Sequence, residues 1–151
     1  MKLARQYFLE KVPAEPQRTR FISRSQSYHG TTLGALSVGG HKGRRLNFEP
    51  LLANNVTSVS PCFAYRGKTT GERDDEYLER LLRELDDEFQ RVGSANVCAF
   101  VAEPVVGAVG AQPGRLFAQA DLEFRRPLAV SLQSTGTSRQ FERSATSTGR
   151  F

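Results

Sequence analysis

TRFISRSQSYHGTTLGALSV, residues Thr19 to Val38, decides the architecture of this chain. Thr19–Arg24 reads as a strand, with β-forming residues on both faces, and Thr31 or Thr32 can cap a short helix through Leu33, Ala35, Leu36 and Val38. Between them, Ser27-Tyr28-His29-Gly30 makes a sharp turn that brings an aromatic ring and an imidazole to the carboxyl end of the strand. In open α/β sheets that end is where ligands bind. The unpaired N–H groups and the dipole of a helix start favour anionic groups there.

Upstream, Met1–Lys11 reads as a helix with apolar residues at Leu3, Ala4, Tyr7 and Phe8, stopped by a loop over Val12–Gln17 that contains Pro13 and Pro16. Downstream, Gly39-Gly40-His41-Lys42-Gly43-Arg44-Arg45 reads as a flexible, solvated basic turn. It lacks the Gly-x-x-x-x-Gly-Lys-Ser/Thr spacing of a phosphate-binding loop. Leu46–Ala53 is an ambiguous apolar run, Val56–Val59 a short strand, and Pro61–Arg66 an extended loop.

The clearest element is a helix from about Asp74 to Val92. Leu78, Leu81, Leu82, Leu85 and Phe89 fall on one apolar stripe. Asp74, Asp75 and Glu76 crowd its first turn, as the helix dipole prefers, and Gly93 closes it. Val97–Val101 follows as a nearly continuous apolar strand, the pattern of a parallel strand buried on both faces, and it delivers Glu103 at its carboxyl end. Strand, helix and strand in this rhythm indicate α/β architecture. After Gly114 the composition changes. Leu116–Leu128 is at most a weak helix, and residues 131–151 are so rich in Ser, Thr, Gly, Gln and Arg that disorder is expected over the tail.

Composition excludes several classes. The net charge of +5 is spread over 15 basic and 13 acidic residues in 1–114 and six Arg against three acids in 115–151. Arg139, Arg143 and Arg150 are too sparse to track a phosphate backbone, so no nucleic-acid partner is expected. No apolar run approaches a membrane span, and no secretory signal is visible. Cys62 and Cys98 have no disulfide-scaffold spacing and fit a reducing, cytoplasmic setting. With His29 and His41 they show no metal-ligand spacing, so no metal site is expected. No Gly-x-Ser-x-Gly elbow supports a hydrolase.

Three segments carry a family resemblance. Tyr28-His29-Gly30, within RFISRSQSYHGTTLGALS, resembles the aromatic-His-Gly segment of class III aminotransferases, the pyridoxal-phosphate enzymes of fold type I. Asn96–Gly107, NVCAFVAEPVVG, is similar to the strand and Glu-Pro motif that follows it in that family. The opening MKLARQYF resembles the helix that precedes it. The resemblance covers residues 1–114 and implies an incomplete piece of the large domain of the fold type I transferase fold, with 115–151 an unrelated, disordered tail.

The resemblance also implies chemistry. Tyr28 would lie on the pyridine ring of pyridoxal 5′-phosphate, with His29 beside it, Gly30 allowing a tight turn beneath, and Glu103 at the cofactor's polar edge. The substrates would be a small-molecule amino donor and a keto acceptor, and the family forms homodimers. No catalytic residue is assigned. The Schiff-base Lys and the Asp that pairs with the pyridinium nitrogen have no counterpart, since no Lys follows Lys68. The expected function is therefore an aminotransferase by family, inactive as a separate chain. The alternative is a non-enzymatic remnant that pairs with full-length subunits as an interaction or regulatory fragment.

Taken singly, the same residues have ordinary structural readings. Tyr28 would be a half-buried turn aromatic, His29 a hydrogen-bonded or surface imidazole, and Glu103 an exposed strand-end carboxylate. Only their joint order inside matching flanks points to a cofactor site.

Overall fold

The computed structural model describes residues 1–103 and the backbone of Ala129–Ser131. Its centre is a four-stranded parallel sheet in the order β2-β1-β3-β4, formed by β1 (Arg20–Arg24), β2 (Val56–Val59), β3 (Val97–Ala102) and β4 (Ala129–Ser131). Every pairing is parallel, so each connection must carry the chain back along the sheet.

Helices pack on both faces. α5 (Asp74–Val92) lays Leu85 and Phe89 against Ile22, Val59, Val97 and Phe100. On the other face, α1 (Lys2–Glu10) and α2 (Leu33–Val38) contribute Phe8 and Val38, which pack with Phe21, Cys98, Ala99 and Val101. All six residues of β3 are buried, as its unbroken apolar run requires. Burial also pushes the Cys98 thiol above its ordinary value. Cys62 and Cys98 are both free thiols.

α5 begins and ends at the residues its sequence marks. The Arg73 N–H donates to Glu76 Oε2 at 2.9 Å, and Gly93 adopts φ +80° to turn the chain out of the helix. The α1 stripe behaves differently. Phe8 is buried, whereas Leu3 is 81% and Tyr7 57% exposed, so the described residues cover only one edge of that helix.

Two stretches read as irregular contain helical turns instead. Lys42–Arg45 forms α3 and Ala64–Gly67 forms α4, and Leu46–Ala53 resolves into a single 3₁₀ turn at Glu49–Leu51. The cause at α3 is Arg45. Its Nη1 donates to the carbonyls of Leu36, Ser37 and Gly39, which satisfies the C-terminus of α2, and its guanidinium also pairs with Glu49.

β4 lies inside the segment expected to be a disordered tail. Its backbone finds ladder partners on β3, with Phe100 opposite Ala129 and Ala102 opposite Ser131. The expected helix at Leu116–Leu128 and the expected disorder elsewhere in 115–151 lie outside the described residues. Among the described residues no helix is long and apolar enough to cross a membrane.

Candidate functional site

The site is built where β1 and β3 end side by side. β1 finishes at Arg24, and the chain turns through Ser25–Ser27. The Ser27 hydroxyl donates to Arg24 O at 2.6 Å and accepts from the Gly40 N–H at 3.2 Å. This pins the turn to the loop after α2. Gly40 has no room for a side chain, since a Cβ there would lie 2.5 Å from the Gln26 nitrogen and 2.8 Å from Arg24 O.

The next residue is Tyr28, whose N–H donates to Glu103 Oε1 at 2.6 Å, across 75 residues of sequence. The bond is short, as expected for an amide donating to a carboxylate. It brings the ring-bearing tip of β1 and the acid-bearing tip of β3 into one place. Gly30 follows in the left-handed region at φ +119°, where a side chain is strained, and a Cβ there would sit 3.1 Å from Ala35 Cβ. Thr32 then caps α2 by accepting the Ala35 N–H at 3.3 Å.

Glu103 is 2% exposed, not the solvated strand-end carboxylate that its position alone would suggest. Its Oε2 is buried with no hydrogen-bond partner among the described residues, and the same holds for both ring nitrogens of His29. Burial lowers the His29 pKa from its ordinary 6.5, and the nearby Glu103 carboxylate partly opposes that shift. Buried polar atoms without partners are uncommon and costly. Here three of them gather at the carboxyl ends of two central strands. Acceptor and donor capacity is therefore available for a polar ligand, and a hydrogen-bonding heterocycle fits the donor set.

One neighbour of the site was not visible in the sequence. The Arg44 guanidinium lies 4.4 Å from the centroid of the Tyr28 ring. A cation over an aromatic face holds that ring in place, by about 0.5–1 kcal/mol where exposed. The sequence places Arg44 in a basic run 16 residues downstream, and only the α3 turn brings it back. No group of His, Cys, Asp or Glu able to hold a metal ion occurs among the described residues.

Comparisons with known proteins show the family of the chain. The family model for class III aminotransferases matches residues 1–119. An aminotransferase of Gibberella zeae is 58% identical over 109 residues, which is 72% of this chain and 21% of that protein. An uncharacterized aminotransferase of Bacillus subtilis is 40% identical over 111 residues, 74% of this chain and 24% of that protein. A solved omega-aminotransferase from Paracoccus denitrificans superimposes with a TM-score of 0.70 at 28% identity, over 81% of this chain and 27% of its own. The chain thus spans between a fifth and a quarter of the length of these curated relatives. The matched span contains the Tyr28-His29-Gly30 turn and Glu103, and the chain belongs to the class III aminotransferase family.

Proposed function

We propose that residues 1–103 form part of the cofactor floor of a pyridoxal-phosphate-dependent aminotransferase, with Tyr28, His29, Gly30 and Glu103 as its contact residues. The observation that carries this reading is the Tyr28–Glu103 hydrogen bond together with the partnerless Glu103 Oε2 and His29 imidazole beside it. When bound, the cofactor supplies an electron sink for the carbanion left as an amino substrate loses its α-proton.

The chain's own residues hold and orient. Tyr28 presents a ring steadied by Arg44, suited to stacking on a heterocycle for roughly 0.5–1.5 kcal/mol. Gly30 lets the backbone pass close beneath, and Glu103 offers Oε2 as an acceptor while Oε1 fixes the turn. His29, kept neutral by burial, offers one N–H and one lone pair. The substrates of the reading are a small-molecule amino donor and a keto acceptor, within a homodimer. A relative of 33% identity is named a gamma-aminobutyrate transaminase, which agrees with an amino-group transfer of that kind. Two free thiols favour a reducing compartment such as the cytoplasm.

No Lys follows Lys68, so the residue that would anchor the cofactor covalently has no candidate beyond it, and we expect no transamination by this chain alone. A second reading, a fragment that pairs with longer subunits, is favoured by the exposed apolar residues Leu3, Tyr7, Leu46 and Leu51.

The test uses pyridoxine 5′-phosphate, which lacks the aldehyde and cannot attach to surface lysines. Saturation-transfer NMR should show its ring protons in contact with the chain, with binding weakened at least tenfold in Tyr28→Ala and clearly reduced in Glu103→Gln. Equal binding by wild type and both variants would sink the proposal.

A further inference from the structure

A second concavity lies beyond β1 and β2, and none of Tyr28, His29 or Glu103 lines it. It is a cleft of about 540 Å³ between Gly40–Gly43, where α3 begins, the segment after β2, and α5. That volume is in the range of small-molecule sites. The run Gly39–Arg45, which as sequence looked like a solvated turn, supplies one wall.

Its lining has two characters. Lys42, Arg66 and Arg80 bring three cations to it, and no Asp or Glu lines it. Arg80 is already paired, with its Nε and Nη2 donating to Glu72 and its Nη2 also to the Gly67 carbonyl, which leaves Lys42 and Arg66 as the cations open to a ligand. Glu72 takes two bonds from Arg80 and one from the Thr69 N–H, and Glu84 accepts the N–H and hydroxyl of Ser60. Lys42 and Arg66 have no ion pair among the described residues. His41 Nδ1, also on the lining, is buried with no hydrogen-bond partner among them. The second character is apolar, from Pro61, Phe63 and the buried Tyr77 and Leu81.

The back of the cleft is fixed rather than soft. The Tyr77 hydroxyl accepts the Phe63 N–H at 3.0 Å and donates to Pro61 O at 3.1 Å. Gly67 packs so closely on it that a Cβ would lie 2.5 Å from that hydroxyl oxygen.

We propose that this cleft binds a small organic anion, a phosphate monoester or carboxylate carried on an aromatic or apolar body. The Arg66 guanidinium suits either head group through paired N–H donors, and Lys42 adds a mobile point charge. Phe63, Pro61 and Leu81 would take the body out of water. The site is separate from the Tyr28–Glu103 floor and does not depend on the assignment made there.

The test is a titration of the ¹⁵N-labelled full chain with phenyl phosphate, benzoate and inorganic phosphate. Phenyl phosphate should give saturable shifts at the Gly40, Gly43 and Gly67 amides, with affinity falling as NaCl is raised. Lys42→Gln combined with Arg66→Gln should weaken it at least tenfold, while Arg83→Gln, whose side chain does not line the cleft, leaves it unchanged. Both replaced residues are exposed, and unchanged shifts in the β3 and α5 amides will report that the fold is intact. Benzoate binding as tightly as phenyl phosphate assigns the head group as carboxylate or phosphate alike, and weaker benzoate binding assigns it as phosphate. The proposal is overturned if these glycine amides do not saturate or if the double variant binds like wild type. It is equally overturned if inorganic phosphate binds as tightly as phenyl phosphate, since the apolar wall would then contribute nothing.

Discussion

Replacing Tyr77 with Phe removes one oxygen atom from a side chain that is only 1% exposed, and leaves the ring in place. Apolar burial is almost unchanged, so the effect is confined to hydrogen bonding. The hydroxyl accepts from Phe63 N and donates to Pro61 O, and each bond of this kind contributes about 1 kcal/mol net. Leaving both backbone groups bare would cost more. However, the Phe63 N–H also reaches Pro61 O at 3.0 Å, so the pair keeps a contact when the hydroxyl goes. The expected loss is therefore about 1.5–2 kcal/mol, with a fall in Tm of roughly 5 °C for a chain of this size. Urea unfolding followed by circular dichroism at 222 nm measures it.

The pH dependence supplies a second signature of the same residue. Burial raises the phenol pKa above its ordinary 10.0, opposed by the Phe63 N–H bond. Because the folded value is the higher, the stability tied to the neutral phenol is complete below the unfolded value. It is lost as pH rises through the folded one. Wild type minus Tyr77→Phe should thus shrink above about pH 10. A variant within 0.3 kcal/mol of wild type with a parallel alkaline profile would refute the reasoning.

Three further outcomes are expected. His29 has a depressed folded pKa, so the stability it contributes is present above its ordinary 6.5 and declines as pH falls through that value toward the folded one. His29→Asn should flatten the thermal-unfolding profile between about pH 7 and 5. Gly40→Ala forces a methyl group against the Gln26 nitrogen and Arg24 carbonyl, which are backbone and cannot swing aside. It should cost about 1–3 kcal/mol in urea unfolding and shift the Ser27 and Tyr28 amides in an NMR spectrum. Glu72 is held down to about 2 by the Arg80 guanidinium, with help from the Thr69 N–H. In Arg80→Gln its carboxylate titration, followed by ¹³C NMR, should move back up toward 4.5.

Much of the scaffold could be read from residue order because single elements carried redundant signals. α5 had a leucine stripe, an acidic first turn and a closing glycine, and β3 was too apolar to be anything but a buried strand. The union of Tyr28 with Glu103 rested on family order, since nothing local links residues 75 positions apart. Glu103 was underestimated for the same reason, because burial is a property of the sheet around it. The Arg44 contact and the α3 turn escaped because glycines and charges normally signal a solvated loop. There the deciding contacts join neighbouring elements rather than one turn, with Arg45 satisfying three carbonyls at the end of α2.

The strand order has a consequence for how this chain is made. β1 is encoded early, yet both of its ladder partners come later, the nearer across Phe21–Val56 and the farther across Ile22–Phe100. During synthesis the turn at Ser27–Gly30 must wait, without its carboxylate anchor, until the ribosome has released Glu103. Pairings between such distant residues form slowly and leave apolar edges open in the interval. Nascent chains that stall before residue 103 should therefore be the ones that chaperones capture.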